Sequence, residues 1–209
     1  MHAAGSPSPW VVRWAHWLAP GSTLLDVACG RGRHVRWLAE CGVRVTALDR
    51  DEQAVAPLRD VAEVIVADIE GQAWPCGERQ FDAVLVTNYL WRPLWPTLLN
   101  SVKPGGLYLH ETFAVGNESV GRPARPDFLL RRGELLRTCA DWQVLAYEDG
   151  FATEPDRFVQ RIVAVRPPDP AAARNATPSP ILTSTPSAPP VATASPVRWP
   201  LAGQPPGAG

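Results

Sequence analysis

The chain has 209 residues, enough for one domain of ordinary size and an appendage. A formal net charge of −1 and a pI of about 6.4 exclude a global basic field that would gather nucleic acid or an anionic membrane. Cys29, Cys41, Cys76 and Cys139 form no C-x-x-C pair and no zinc pattern, so reduced thiols, a cytoplasmic location and no metal site are expected.

The first residues lack the basic-then-apolar pattern of a secretory signal, and no apolar run approaches the ~20 residues that span a bilayer. Ser8-Pro9 reads as an N-cap with proline at N1, opening a helix through Leu18 with Trp10, Trp14 and Trp17 on one packed face. Strands are expected near 24–28, 43–48, 62–66, 82–87 and 106–112, with helices near 33–40, 51–59 and 94–101 between them. Lys103-Pro104-Gly105-Gly106 reads as a helix stop and turn. A helix near 131–139 precedes two long runs, Gln143–Glu148 and Arg157–Val165, separated by Asp149-Gly150 and Glu154-Pro155 in the manner of an antiparallel pair. Alternating units of this kind give an α/β fold: a mostly parallel sheet with helices on both faces and an antiparallel final strand. From Pro167 to Gly209 the chain is Pro, Ala, Ser and Thr with hardly any charge, a composition unable to offset its ordering entropy. The expected organisation is a folded domain over 1–166 and a disordered tail over 167–209.

The most informative stretch is Leu24-Leu25-Asp26-Val27-Ala28-Cys29-Gly30-Arg31-Gly32-Arg33-His34, a buried strand running through a glycine turn into an amphipathic helix. Glycines at such a turn let backbone approach a ligand closely. Asp26 just before the turn would oppose a phosphate, which favours a sulfonium nucleoside over a dinucleotide. Open α/β sheets bind ligands beyond the carboxyl ends of their strands. Two further acids stand at such ends: Asp49, placed for ribose hydroxyls, and Asp68, placed for an exocyclic amine with Ile69 against the purine. The fourth strand ends in Thr87-Asn88-Tyr89, beside the reacting end of such a ligand.

These segments (LLDVACGRGRH, TALDRD, VIVADIE, FDAVLVTNYL and VKPGGLYLHETF) resemble, in order, the class I S-adenosylmethionine-dependent methyltransferases, over about residues 8–166. The turn and small size look most like tellurite-resistance-type and related small-molecule methyltransferases. The resemblance implies a Rossmann-like three-layer sandwich whose seven-stranded sheet ends in an antiparallel strand, with S-adenosyl-L-methionine as cofactor. It places Asp26, Ala28, Cys29, Gly30 and Gly32 along the methionine moiety, Asp49 with Arg50 at the ribose, Asp68 and Ile69 at the adenine, and Asn88 near the sulfonium.

The same glycine pattern serves NAD(P)-binding oxidoreductases, but their fingerprint wants a small residue where this chain has Val35. A non-catalytic S-adenosylmethionine-binding module is a further alternative, against which the intact turn and three acids speak. Candidate bases are His110 and Glu111, which strand alternation sends to opposite faces; the alternative for His110 is a hydrogen-bonded structural role. The long loop Ala114–Phe128 is a candidate lid. Its Arg122 and Arg125, with Arg131 and Arg132 beyond, suit an anionic acceptor or a merely solvated surface. Tyr89, Trp91 and Trp95 wall an acceptor pocket or pack in the core. The expected partner is a small-molecule acceptor, with no nucleic acid and no membrane, for a monomer or homodimer. RNA or protein as acceptor is the alternative, although no proline follows Asn88 and no basic tract accompanies exposed aromatics.

Overall fold

The structure, a computed structural model, describes residues 5–168; most of the expected tail lies outside the described residues. Strands β1 (Thr23–Val27), β2 (Arg44–Asp49), β3 (Glu63–Val66), β4 (Phe81–Thr87), β5 (Val102–Phe113), β6 (Gln143–Ala152) and β7 (Arg157–Val165) form one sheet in the order β3-β2-β1-β4-β5-β7-β6. Strand β7 runs antiparallel to both its neighbours, and the other pairs are parallel. The chain steps outward from β1 to β3 and then restarts at β4 on the other side of β1. That reversal opens a crevice above the carboxyl ends of β1 and β4.

Period-two alternation divides the core into two layers. Leu24 and Leu25 are each no more than 1% exposed yet pack on opposite faces of the sheet. Leu24, Ala47, Leu85 and Leu109 meet Trp10 of helix α1 (Pro9–Trp14), Val35 and Leu38 of α2 (Arg33–Glu40), and Val55 of α3 (Glu52–Val55). Leu25, Val84, Tyr108 and Ile162 meet Leu98 of α4 (Trp95–Asn100) and Leu135 of α5 (Glu134–Thr138). Each fully buried Leu or Val contributes ~1.5–3 kcal/mol, so an acid at Leu38 would dismantle the α2 contact. Among the described residues no helix is long and apolar enough to cross a membrane.

Several boundaries differ from the sequence-based expectation. Helix α1 ends at Trp14, and a 3-10 turn, Ala15–Trp17, follows; Trp17 is 50% exposed, so the tryptophan face stops after Trp14. The expected 51–59 helix is α3 plus a 3-10 turn, Ala56–Leu58, because Pro57 has no N–H to continue the α ladder. Lys103–Gly106 belongs to β5 but bulges, the pairing jumping from Phe81↔Val102 to Ala83↔Leu107. Asp149 and Gly150 lie inside β6, opposite Gln160 and Val159, so the hairpin turns later, at 153–156. The Ala114–Phe128 loop is closed at its base by a parallel bridge between Ala114 and Leu130. Buried Asn117 fastens it internally: its amide donates to the Pro123 carbonyl at 3.0 Å, and its side-chain oxygen accepts from Phe158 N at 3.1 Å.

Candidate active site

The glycine turn is held from β2. Gly30 N donates to Asp49 Oδ2 at 2.7 Å, Asp51 N donates to Asp49 Oδ1 at 2.9 Å, and Cys29 N bonds the Leu48 carbonyl at 3.1 Å. Each Asp49 oxygen thereby spends one lone pair on backbone and keeps another for a ligand hydroxyl. Both glycines have left-handed backbone, at φ 55° (Gly30) and 73° (Gly32), but they do different work. A Cβ on Gly32 would stand 2.5 Å from both Leu58 Cδ atoms, whereas one on Gly30 meets nothing within 4 Å. Gly32 serves packing of α2, and Gly30 leaves the space above the turn open. Ala28 is also left-handed, at φ 53°, which costs an L residue about 1–2 kcal/mol.

Ala28, Asp49, Arg50, Asp68 and Ile69 wall a recess of about 170 Å³ that Glu70 and Tyr89 complete. The acids expected at three successive strand ends thus do not share one role. Asp49 and Asp68 face the recess, while Asp26 is fully buried behind the turn on the α1/α2 face. Neither Asp26 oxygen has a hydrogen-bond partner among the described residues, and His34 Nδ1 lies 3.9 Å from Oδ2. Burial, which outweighs nearby Arg33, pushes the Asp26 carboxyl up to about 8; the Asp49 carboxylate adds to the rise. His34 is pushed down to about 3 by burial and by Arg33, so it is neutral and accepts from Ser8 N at Nε2, 3.1 Å away. Cys29 is buried, and burial with the neighbouring acids raises its thiol, leaving it unreactive.

A second recess of about 290 Å³ adjoins the first, with Glu70 and Tyr89 lining both. Asn88, at φ 54°, brings its side chain to this second space while its N–H bonds the Glu111 carbonyl at 2.8 Å. The far wall is Leu90, Thr112, Phe113, Pro123 and Phe128, so β5 and the 114–128 loop close it. Trp91 is exposed and Trp95 packs on the core; neither lines it.

Neither expected base lines either recess. His110 is buried: Tyr108 Oη donates to Nδ1 at 2.8 Å, and Nε2 donates to the Tyr89 carbonyl at 3.1 Å, which fixes the neutral tautomer. Burial holds it down at about 4. Glu111 points to the opposite layer, where Ser8 Oγ donates to both its oxygens at 3.1 and 3.0 Å and Arg161 Nε lies 2.8 Å away. Both residues are positioning groups: one fastens Tyr89, the other fastens α1 through its cap. The arginines expected to greet an anion are elsewhere. Arg125 pairs with Asp127 at 3.0 Å and lies over Phe128, and Arg122, Arg131 and Arg132 are exposed outside the recess. Neither Glu70's place at the junction nor the role of Arg92 was anticipated from the sequence. Arg92 grips both Glu134 oxygens at 2.7 and 2.9 Å and the Asp127 and Leu129 carbonyls at 2.8 Å, anchoring the loop.

Residues 24–106 match the family model described as a methyltransferase domain. A ribosomal protein L11 methyltransferase of Burkholderia mallei is 40% identical over 92 residues, which cover 42% of this chain and 30% of that protein. The chain therefore spans about a third of the length of such relatives. Among solved structures, TehB from Haemophilus influenzae superposes with a TM-score of 0.61 at 23% identity, over 75% of this chain and 61% of that one. An S-adenosylmethionine-dependent methyltransferase from Mesorhizobium loti gives 0.56 at 19% identity, over 71% and 92%. The methyltransferase-domain match lies on this strand order and glycine turn, and the fold is similar to that of S-adenosylmethionine-dependent methyltransferases.

Proposed function

We propose that this protein, through its domain at 1–166, transfers a methyl group from S-adenosyl-L-methionine to a small-molecule acceptor. The observation that carries this reading is the pair of joined recesses, one walled by Asp49, Asp68 and Ile69, the other opening from it at Glu70 and Tyr89. The first suits the cofactor. Asp49 retains lone pairs for ribose hydroxyls, Asp68 spends one oxygen on Glu70 N at 3.0 Å and keeps the other for an amine, and Ile69 offers an apolar face. The Asp49 carboxyl at the turn and Asp68 in the same recess suit a cationic ligand and oppose a pyrophosphate. Val35, fully buried in the α2 core, occupies the place where the dinucleotide fingerprint keeps a small residue.

When bound, S-adenosylmethionine supplies an electrophilic methyl group on a positive sulfur. The protein's part is alignment, and near-attack positioning contributes ~7–11 kcal/mol. Tyr89, held through its carbonyl by His110, divides the two spaces and so sets the angle between donor and acceptor. A protein acceptor, as the name of the Burkholderia relative indicates for that protein, is the alternative. The recess of about 290 Å³ favours a small molecule or a single side chain.

Calorimetry with S-adenosylhomocysteine, followed by labelled methyl transfer to thiols, amines, oxyanions, bulk RNA and ribosomal protein L11, tests the proposal. Micromolar product binding and label in a small molecule are expected. No binding, or label in RNA or protein alone, would overturn it.

A further inference from the structure

The second recess has an unusual charge content for a space reached by solvent. Among the described residues that line it, Glu70 is the one carboxylate, and there is no lysine, arginine or histidine. The arginines of the neighbouring loop are turned away: Arg125 is held by Asp127, and Arg92 is saturated by Glu134 and two carbonyls. An anionic acceptor would meet the Glu70 carboxylate there and no cation on the same wall, since Arg50 lines the first recess and not the second. The remaining lining is aromatic and aliphatic, with Tyr89, Phe113 and Phe128 offering ring faces that attract a cation.

From this charge pattern we infer that the acceptor is a small primary or secondary amine on an apolar body, and that Glu70 binds its ammonium form and takes up the proton before transfer. The inference rests on the methyl-transfer reading above. Glu70 is suited to the task by place. It is exposed enough to pass a proton to water, yet it lines both recesses, so a nitrogen held by it lies beside the donor's methyl group. Tyr89 supplies the complementary group. Its hydroxyl is buried without a hydrogen-bond partner among the described residues, and burial together with Glu70 raises its ionisation, so it stays a neutral donor. Thr112 and Asn88 add neutral polar edges.

The step balances as follows. An ammonium N–H gives its proton to the Glu70 carboxylate, freeing the nitrogen lone pair. That pair forms the new N–C bond as the C–S bond breaks, the C–S electrons remaining on sulfur as a neutral thioether. The product is an N-methylammonium, and Glu70 returns its proton to bulk water. Net, one proton is released per methyl transferred.

The test uses the full chain with S-adenosylhomocysteine bound, and two isosteric probes, benzylammonium and benzoate. The wild type is expected to bind benzylammonium at least tenfold more tightly than benzoate, and E70Q, assayed at saturating S-adenosylhomocysteine, to lose that preference. With S-adenosylmethionine, N-methylbenzylamine is the expected product. E70Q should lower its rate by ~10²–10⁴-fold, the range for a lost general base, with the deficit shrinking as the pH approaches the amine's own pKa. Absence of benzylammonium binding, equal or reversed preference, or an unaffected E70Q rate would each overturn the amine assignment. A more than tenfold loss of S-adenosylhomocysteine affinity in E70Q would place Glu70 on the cofactor side and overturn it as well. Failure of the wild type to bind S-adenosylhomocysteine instead sinks the underlying methyl-transfer reading.

Discussion

The two glycines of the turn make a paired test, because the space behind each is so different. At Gly32 an alanine adopts left-handed backbone, costing about 1–2 kcal/mol, and drives its Cβ to 2.5 Å from two Leu58 methyls. Leu58 is 1% exposed in the α2/α3 layer, so it cannot swing into solvent, and overpacking adds ~1–3 kcal/mol. The sum, ~2–5 kcal/mol, is a third or more of a typical domain's stability. At ~2–4 °C per kcal/mol it lowers Tm by about 10 °C. At Gly30 the backbone cost is the same but no atom lies within 4 Å, so Gly30→Ala should lose only ~2–8 °C. That empty space is where the methionine portion of the cofactor is proposed to lie. Gly30→Ala should therefore weaken S-adenosylhomocysteine binding at least tenfold by calorimetry, out of proportion to its Tm change. Gly30→Ala that binds like wild type, or Gly32→Ala that is as stable as Gly30→Ala, would refute the division of labour.

Three further outcomes are expected. Arg92→Ala removes the anchor of the loop carrying Pro123 and Phe128 at a cost of about 2 kcal/mol. Steady-state kinetics should show acceptor KM rising severalfold with cofactor Kd unchanged. His110→Phe leaves the Tyr108 hydroxyl and Tyr89 carbonyl unpaired, a loss of ~1–3 kcal/mol in denaturant unfolding. Because His110 is already neutral above about 4, the pH profile of kcat should keep its shape, and loss of a titrating limb would restore His110 as a base. The third concerns pH. With the Asp26 carboxyl raised from 3.8 to about 8, the folded state holds a proton that the unfolded chain has lost. Stability of the ligand-free protein therefore falls as pH rises through that window. His34 and His110, lowered from 6.5 to about 3 and 4, work oppositely, and stability falls as pH drops below 6.5. Asp26→Asn should flatten the decline in Tm between pH 6 and 8, an effect of at most about 3 kcal/mol, and leave the acid side intact. An undiminished alkaline decline would count against the buried proton.

The sheet was legible because its signals are local. Each parallel strand is a short apolar run closed by a turn, and burial on both faces demands that composition. Asp149-Gly150 misled because the Asp-Gly turn signal assumes a short hairpin, whereas pairing across to Val159 and Gln160 keeps the backbone extended. The recess proposed for the cofactor has a lining that is local in the same way: Asp49, Asp68 and Ile69 stand at or just past the ends of strands, where the fold itself delivers them to the crevice. The recess proposed for the acceptor depends on tertiary closure. Glu70 lies one residue past Ile69 and reaches the junction only through the turn after β3, and Arg92 grips residues 35 to 42 positions away. No spacing rule anticipates either contact.

His110-Glu111 shows why a dipeptide read as chemistry can be architecture instead. Alternation along β5 sends the two side chains into opposite layers, one to the Tyr89 carbonyl and the other to the Ser8 hydroxyl that caps α1. Glu111 also stands directly opposite Arg161 on β7, which pairs with Glu148 on β6 at 3.1 Å. A buried carboxylate beside two arginines and a cap hydroxyl is costly to disrupt, since removing it leaves half-buried Arg157 without its acid and repelled by Arg161, which keeps Glu148 alone. Such a residue holds β5, β7 and α1 in register. The mobile chemistry is then left to Glu70, outside the sheet, where a proton can reach water. A base inside the sheet, with both nitrogens committed as in His110, could not release one each turnover without breaking the bond that holds Tyr89 in place.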